Sequence, residues 1–251
     1  MKNLFLSIAL LLAATTIHAQ NTINGDLNHD GELNIIDVMM MIDIILENKP
    51  APSYTYCPDD NHPHLIDLGL PSGTLWACCN VDATMPEEYG GFYAFGETEE
   101  KNTYTWGNYI HCDGTKGTCH NLGAHIAGTQ YDVATVKWGH DWLLPSPNQI
   151  KELIDNCDYV WDAHNGVKGA WLVSKINGGS IFFPATGEKR NGHHYSQGEE
   201  GYFWSDEQSQ TMFNNARFLR VDNARAAVWS GDIRYSGYTV RPVAREIGSS
   251  E

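Results

Sequence analysis

Long apolar runs and positive charge are what this 251-residue chain has least of. Its one continuous apolar run, residues 4–14, is too short to cross a bilayer, and no other span exists, which excludes a transmembrane helix. Only 16 Lys and Arg stand against 31 Asp and Glu, a formal net charge of −15. That balance argues against nucleic acid or an anionic membrane as partner. Catalytic signatures are missing as well: there is no G-x-S-x-G elbow, H-E-x-x-H helix, phosphate-binding glycine loop or Ser/His/Asp order. Long amphipathic segments are scarce. Trp, Tyr, Phe and Gly are plentiful instead, the composition of short strands joined by many turns.

The short apolar run has a purpose. Lys2 supplies a positive end, and Ile17-His18-Ala19 offers a small-residue cleavage site before Gln20, so residues 1–19 read as a secretion signal. No Cys follows the apolar core, which argues against a lipoprotein. The mature chain is expected outside the cytoplasm, in the periplasm, at the cell surface or free.

The run DLNHDGELNIID (26–37) is the only stretch whose spacing dictates a chemistry. Side-chain oxygens stand at Asp26, Asn28, Asp30, Asn34 and Asp37, Gly31 permits the sharp turn, and Glu32 lends its backbone carbonyl. A loop that wraps a hard divalent cation needs this arrangement, so Ca²⁺ is the expected ion. A helix is predicted to follow over 35–47, ending at Asn48 and Pro50. Ile35, Val38, Met39, Ile42, Ile45 and Leu46 form its apolar stripe, and Ile36, Met40, Met41 and Ile44 spread apolar surface around the rest. The pattern D-x-N-x-D-G-x-x-N-x-x-D, ending in Asp rather than Glu, resembles a dockerin type I repeat. Only residues 20–49 carry it and no second repeat follows, so the resemblance is to half a dockerin. It implies attachment to polysaccharide-degrading machinery and, in paired repeats, a cohesin partner. The helix needs a surface: its own domain, a second copy through 35–47, or a cohesin-like protein. The Pro-rich linker 50–63 ranks partner or second copy first, because it holds the segment away.

Residues 64–245 read as one α+β domain, followed by a tail, 246–251. Ser146-Pro147-Asn148-Gln149 has capping-box form, predicting a helix to about Asn156 with Ile150, Leu153 and Ile154 inward. A shorter helix is expected over 132–138. Strands are expected at 65–68, 74–80, 92–95, 170–175, 180–184, 202–205, 216–221, 226–229 and 239–244, with Asn177-Gly178-Gly179 as a hairpin turn. The segments DLGLPSGTLWA (67–77), CNV (79–81), PEEYG (86–90), AFGET (94–98), WLLPS (142–146), GYFWS (201–205) and VRPV (240–243) resemble, as an ordered set, the major paralogous domain of secreted Bacteroidetes and Fibrobacter proteins. That family is similar to C-type-lectin-like folds and has no established activity, so no catalytic residue is implied. The Glu-Pro-Asn and Gln-Pro-Asp sugar signatures of true C-type lectins are absent. The related formylglycine-generating enzymes use a cysteine pair near the chain end, and here no Cys follows Cys157.

Six cysteines in an exported chain suggest disulfides. Cys112 and Cys119 flank a Gly-rich loop and are the easiest pair to close. HCDGTKGTCH (111–120) also admits a zinc reading, with spacing longer than zinc knuckles use. Cys78 and Cys79 are adjacent on a strand and point to opposite faces. Cys57–Cys78 and Cys79–Cys157 are the favoured remaining pairs, with buried thiols as the alternative.

Carboxylates are abundant (Glu87, Glu88, Glu97, Glu99, Glu100, Glu199, Glu200, Asp206, Glu207), but no spacing selects a hydrolytic pair. His193-His194-Tyr195 is expected in an exposed polar loop. Aromatic side chains suit a sugar platform, since rings stack on pyranose faces. Tyr104, Trp106 and Tyr109, with Arg234, Tyr235 and Tyr238, lie on expected loops. Trp161, Trp204 and Trp229 are further candidates, although most of the tryptophans read as core, since a Trp within a strand pattern is more often buried than displayed. Three functions follow: a calcium-bound recognition or attachment module, a glycoside hydrolase tethered by the repeat, or a structural subunit of a surface assembly.

Overall fold

The computed structural model describes residues 35–38, 63–114 and 118–244. The expected signal, loop residues 26–34, helix residues 39–47, most of the linker, Cys57 and the 246–251 tail lie outside these residues.

In chain order the strands are β1 (Leu65–Asp67), β2 (Leu75–Ala77), β3 (Trp142–Leu143), β4 (Cys157–His164), β5 (Val167–Ser174) and β6 (Ser180–Pro184). There follow β7 (Glu188–Arg190), β8 (His193–Tyr195), β9 (Glu200–Gln208), β10 (Asn215–Asp222), β11 (Arg225–Ile233) and β12 (Val243–Ala244). Helical residues 35–38 form α1, and α2 (Val133–Trp138) and α3 (Pro147–Asn156) complete the helices described. The strands make small sheets in the orders β1-β2-β12-β3, β4-β5-β6, β11-β10-β9 and β7-β8, and every named pair is antiparallel. This is the α+β architecture expected of many short strands and few helices. No helix among the described residues is long and apolar enough to cross a membrane.

Local chemistry accounts for the helices. Ser146 Oγ accepts the Gln149 N–H at 3.2 Å while Gln149 Oε1 accepts the Ser146 N–H at 2.9 Å, closing the capping box that opens α3. Ile150 and Leu153 then point into the main core. Asp132 caps α2 by accepting from the N–H groups of Ala134 and Thr135, and it also accepts from Leu144 at 3.0 Å and Gly128 at 2.9 Å. Burial raises its pKa and these donors oppose the rise.

Some strands differ from expectation. Residues 92–95 form no strand, only a bridge from Tyr93 to Tyr238. The last strand shrinks to Val243–Ala244 because Pro242 has no N–H to give. Residues 193–195, expected in a loop, form β8. Asn191 and Gly192 take φ of 51° and 78°, which closes the tight β7–β8 hairpin. The hairpin at Asn177-Gly178-Gly179 joins β5 to β6 as expected.

The main core packs α3 against the sheets: Trp76 meets the Phe183 edge at 6.0 Å, with Leu153, Phe203 and Leu219 around them. A second core stacks Trp204 on Tyr238 at 4.2 Å beside Phe95 and Phe218. Ile36 of α1 is fully buried among Val160, Trp171, Val173 and Phe182 of the β4-β5-β6 sheet. At this turn the helix rests on its own domain, while its remaining expected residues, 39–47, lie outside those described. The buried face also differs, since Ile35 and Val38 of the expected stripe stay exposed.

Cys112 and Cys119 are bridged, so they are not zinc ligands. Cys157 carries a free thiol, buried and pushed up to about 12 by that burial, so the expected Cys79–Cys157 pair does not form. Cys79 Sγ instead lies 3.5 Å from the Ala83 carbonyl.

Candidate functional site

The expected aromatic platform is mostly interior. Tyr104, Tyr109, Arg234, Tyr235 and Tyr238 are each 5% exposed or less. Only Trp106 is half-exposed, its ring set edge-on to Tyr235 at 4.7 Å. The reason is Arg234. Its Nε–H donates to Tyr109 Oη at 2.7 Å, and its Nη1 donates to the carbonyls of His120 at 2.7 Å and Phe213 at 2.6 Å. The guanidinium lies over the Phe95 and Tyr109 rings at 5.6 and 5.3 Å. Burial lowers its pKa, and the Tyr109 hydroxyl opposes the shift. These rings and this arginine therefore bind loops together, not a ligand.

The acidic side chains, among which no spacing selects a hydrolytic pair, are largely engaged in the structure. Glu97 pairs with Lys101 at 2.5 Å, Glu207 with Arg217 at 3.0 Å and Glu200 with Arg220 at 2.5 Å. Glu100 accepts the Phe92 N–H at 2.8 Å, and Glu88 accepts from Thr84. Asp206 accepts from His125 Nδ1 at 3.0 Å. Its carboxyl is pushed up to about 6, first by burial, and the His125 hydrogen bond opposes the rise. A further group, absent from the sequence reading, gathers on β7 and β11. Glu188 pairs with Arg190 at 2.9 Å, and Tyr238 donates to Asp232. Burial raises the Glu188 pKa, Arg190 opposes the shift, and its Oε2 has no hydrogen-bond partner.

Among the described residues, two concave surfaces are open enough to consider as binding sites. The larger, about 390 Å³, lies between the first turns of α3 and the edge strand β11. The α3 cap brings Asn148 and Lys151 to one wall, and β11 brings Trp229 and Ser230 to the other. Trp229 is 37% exposed. Its ring meets Phe218, stacked at 6.5 Å, and the Arg220 guanidinium at 5.2 Å, on the face of the sheet opposite the one that Val228 turns toward α3, so it reaches the groove at the strand edge. None of the groove's described lining residues is a carboxylate. Trp229 is therefore an exception to the reading of most tryptophans as core, whereas Trp76, Trp171 and Trp204 are buried. The signal that distinguishes Trp229 is the polar run Trp229-Ser230-Gly231-Asp232, which breaks the apolar alternation of a covered strand.

The smaller pocket, about 150 Å³, lies between residues 102–104 and the β7–β8 hairpin. Its walls are tied: the Asn191 N–H donates to the Tyr104 carbonyl at 2.9 Å, and Lys189 and Gly237 exchange backbone bonds at 3.0 and 2.8 Å. Lys189, Arg190, His193 and His194 line it together with Asn102 and Thr103. His194 Nε2 is held by the Thr186 carbonyl at 2.7 Å. Neither concavity was legible in the sequence, because each joins segments far apart along the chain. Compared with protein-family models, with curated proteins and with solved structures, the chain matches none.

Proposed function

We propose that the protein is an exported, calcium-bound recognition module with a C-type-lectin-like domain, and that the groove between α3 and β11 takes a glycan. One observation carries this reading: an open cleft joins Asn148 and Ser230, with the partly exposed Trp229 at its β11 edge and no carboxylate among its described lining residues. A ring that presents one face to solvent, with amide and hydroxyl groups beside it, is the arrangement that holds a pyranose. Hydrolysis needs two suitably spaced carboxylates at the bound sugar. The absence of any from the described groove walls favours binding over the hydrolase alternative.

The calcium assignment rests on the 26–37 loop and its resemblance to a dockerin repeat. Asp37, the last ligand of the pattern, is fully buried at the first turn of α1. A carboxylate in that position must be engaged, as a ligand to an ion would be. Asp26, Asn28, Asp30 and Asn34 with the Glu32 carbonyl complete the set, and the ion would hold the loop that leads into α1. Calorimetry with calcium tests this, since Asp30→Ala should abolish binding.

A glycan array probed with the intact protein, followed by titration with the best ligand, tests the recognition reading. Trp229→Ala should weaken binding roughly tenfold or more, the loss of one stacked ring. Release of reducing ends from plant or mucin polysaccharides, abolished by a single carboxylate substitution, would replace this reading with the hydrolase.

A further inference from the structure

We infer that the pocket between residues 102–104 and the β7–β8 hairpin is an anion subsite, which receives the carboxylate of an acidic sugar such as a uronic acid. The inference rests on the glycan reading and adds the ligand's charge.

Lys189 carries the argument. Lys189 is half-buried, and its ammonium is held over the Phe92 ring at 4.2 Å. Among the described residues no carboxylate pairs with it, although the chain has 31 acidic residues against 16 basic ones. A partly desolvated cation without a counter-charge is costly, and an arriving anion removes that cost. The α3–β11 groove is different. Its two cations, Lys151 and Arg217, already have Asp155 and Glu207 as partners.

The other pocket walls suit the same ligand. Arg190 is oriented by Glu188 at 2.9 Å and Asp232 at 4.0 Å, so its charge is already balanced and it serves as a wall. His193 is exposed on β8 and Asn102 is exposed on the facing loop. Both offer hydrogen bonds to ring hydroxyls. No lining residue is acidic. The volume, about 150 Å³, corresponds to about five waters, which is room for a carboxylate and the part of the ring bearing it. A neutral hexose would leave the Lys189 ammonium unpaired and so gain less.

Calorimetric titration of the intact protein with an oligogalacturonate, a neutral oligogalactose of the same length and a sulfated oligogalactose tests the inference. The oligogalacturonate should bind roughly tenfold tighter than the neutral chain, as one charge-assisted contact would give. Lys189→Met should erase that preference and leave neutral binding unchanged. His193→Ala, a change on an exposed strand, should weaken only the acidic ligand, which keeps the test informative if Lys189→Met unfolds the domain. Equal binding of acidic and neutral chains, or a preference that survives Lys189→Met in a folded protein, overturns the inference and leaves the glycan reading standing. A stronger preference for the sulfated chain overturns the carboxylate assignment. If no neutral chain binds, the glycan reading fails by itself. Free galacturonic acid that still binds, and is lost in Lys189→Met but not in Trp229→Ala, would then support the pocket alone.

Discussion

Two regions of this protein are built from the same residue types and use them in opposite ways. Around Arg234, tyrosines and an arginine meet in irregular loops and turn inward. Across β10 and β11, Arg220 of the central strand meets Trp229 of the edge strand, and the ring stays partly exposed. The difference lies in what the backbone leaves unsatisfied. Loops near His120 and Phe213 present carbonyls that no ladder pairs, and a buried guanidinium collects them. There the β10–β11 ladder pairs the strand backbone, and Glu200 and Asp222 hold Arg220 beside Trp229 instead of backbone carbonyls. An arginine among aromatics therefore marks a core when its neighbours lack regular structure, and a surface when they lie on a sheet edge.

The largest effect expected from breaking this contrast comes from Arg234→Ala. It leaves several buried acceptors without donors and should cost about 3–5 kcal/mol, read as a lowered denaturation midpoint. Arg234→Lys should recover little of that, because an ammonium cannot reproduce the planar fork. The corresponding Arg220→Ala, at a half-exposed position of β10, should cost far less.

Opening the Cys112–Cys119 bridge should come next. The His120 carbonyl that Arg234 holds stands next to the bridged Cys119, and Cys112→Ser should destabilise by about 2–3 kcal/mol. Adding a reductant to the native protein should produce a similar loss, and adding it to the variant should produce none.

The interior also contains a charge placed less well than Arg234. Asp206 binds its proton more tightly when folded, at about 6 against 3.8 unfolded. Its contribution to stability is therefore complete below about pH 4 and is lost as pH rises through about 6. Asp206→Asn should match the parent near pH 4 and exceed it by about 2 kcal/mol at neutral pH, as chemical denaturation across that range would reveal. A variant weaker than the parent at every pH would mean that the His125 contact outweighs burial.

Trp229→Ala should change stability least, by less than about 1 kcal/mol, because the ring lies on an exposed edge. A large loss of stability would place Trp229 in the same class as Arg234 and remove the contrast.

Much of the fold was legible in the chain. The capping box of α3, the Asp132 cap, the Asn177-Gly178-Gly179 turn and most of the longer strands are local signals, and each forms where those residues stand. The Cys112–Cys119 bridge was legible for the same reason, since its ends are close in sequence. The β7–β8 hairpin was missed although Asn191-Gly192 signals it, because the flanking residues are polar and show no apolar alternation. Burial of Arg234 was not legible, since its acceptors come from segments far apart in the chain. The same holds for the groove, whose walls join α3 to β11.

The position of β12 has a consequence in time. Val243–Ala244 pairs with β2 on one side and with β3 on the other, so a strand from the very end of the domain fills the middle of its first sheet. A chain growing from its amino end can make the β1–β2 hairpin early, yet it cannot join that hairpin to β3 until these final residues emerge. Such long-range closure is slow, because the intervening chain must be ordered before the last strand finds its slot. Until then the β1–β2 hairpin keeps one open edge, and the first sheet is the last part of the domain to close.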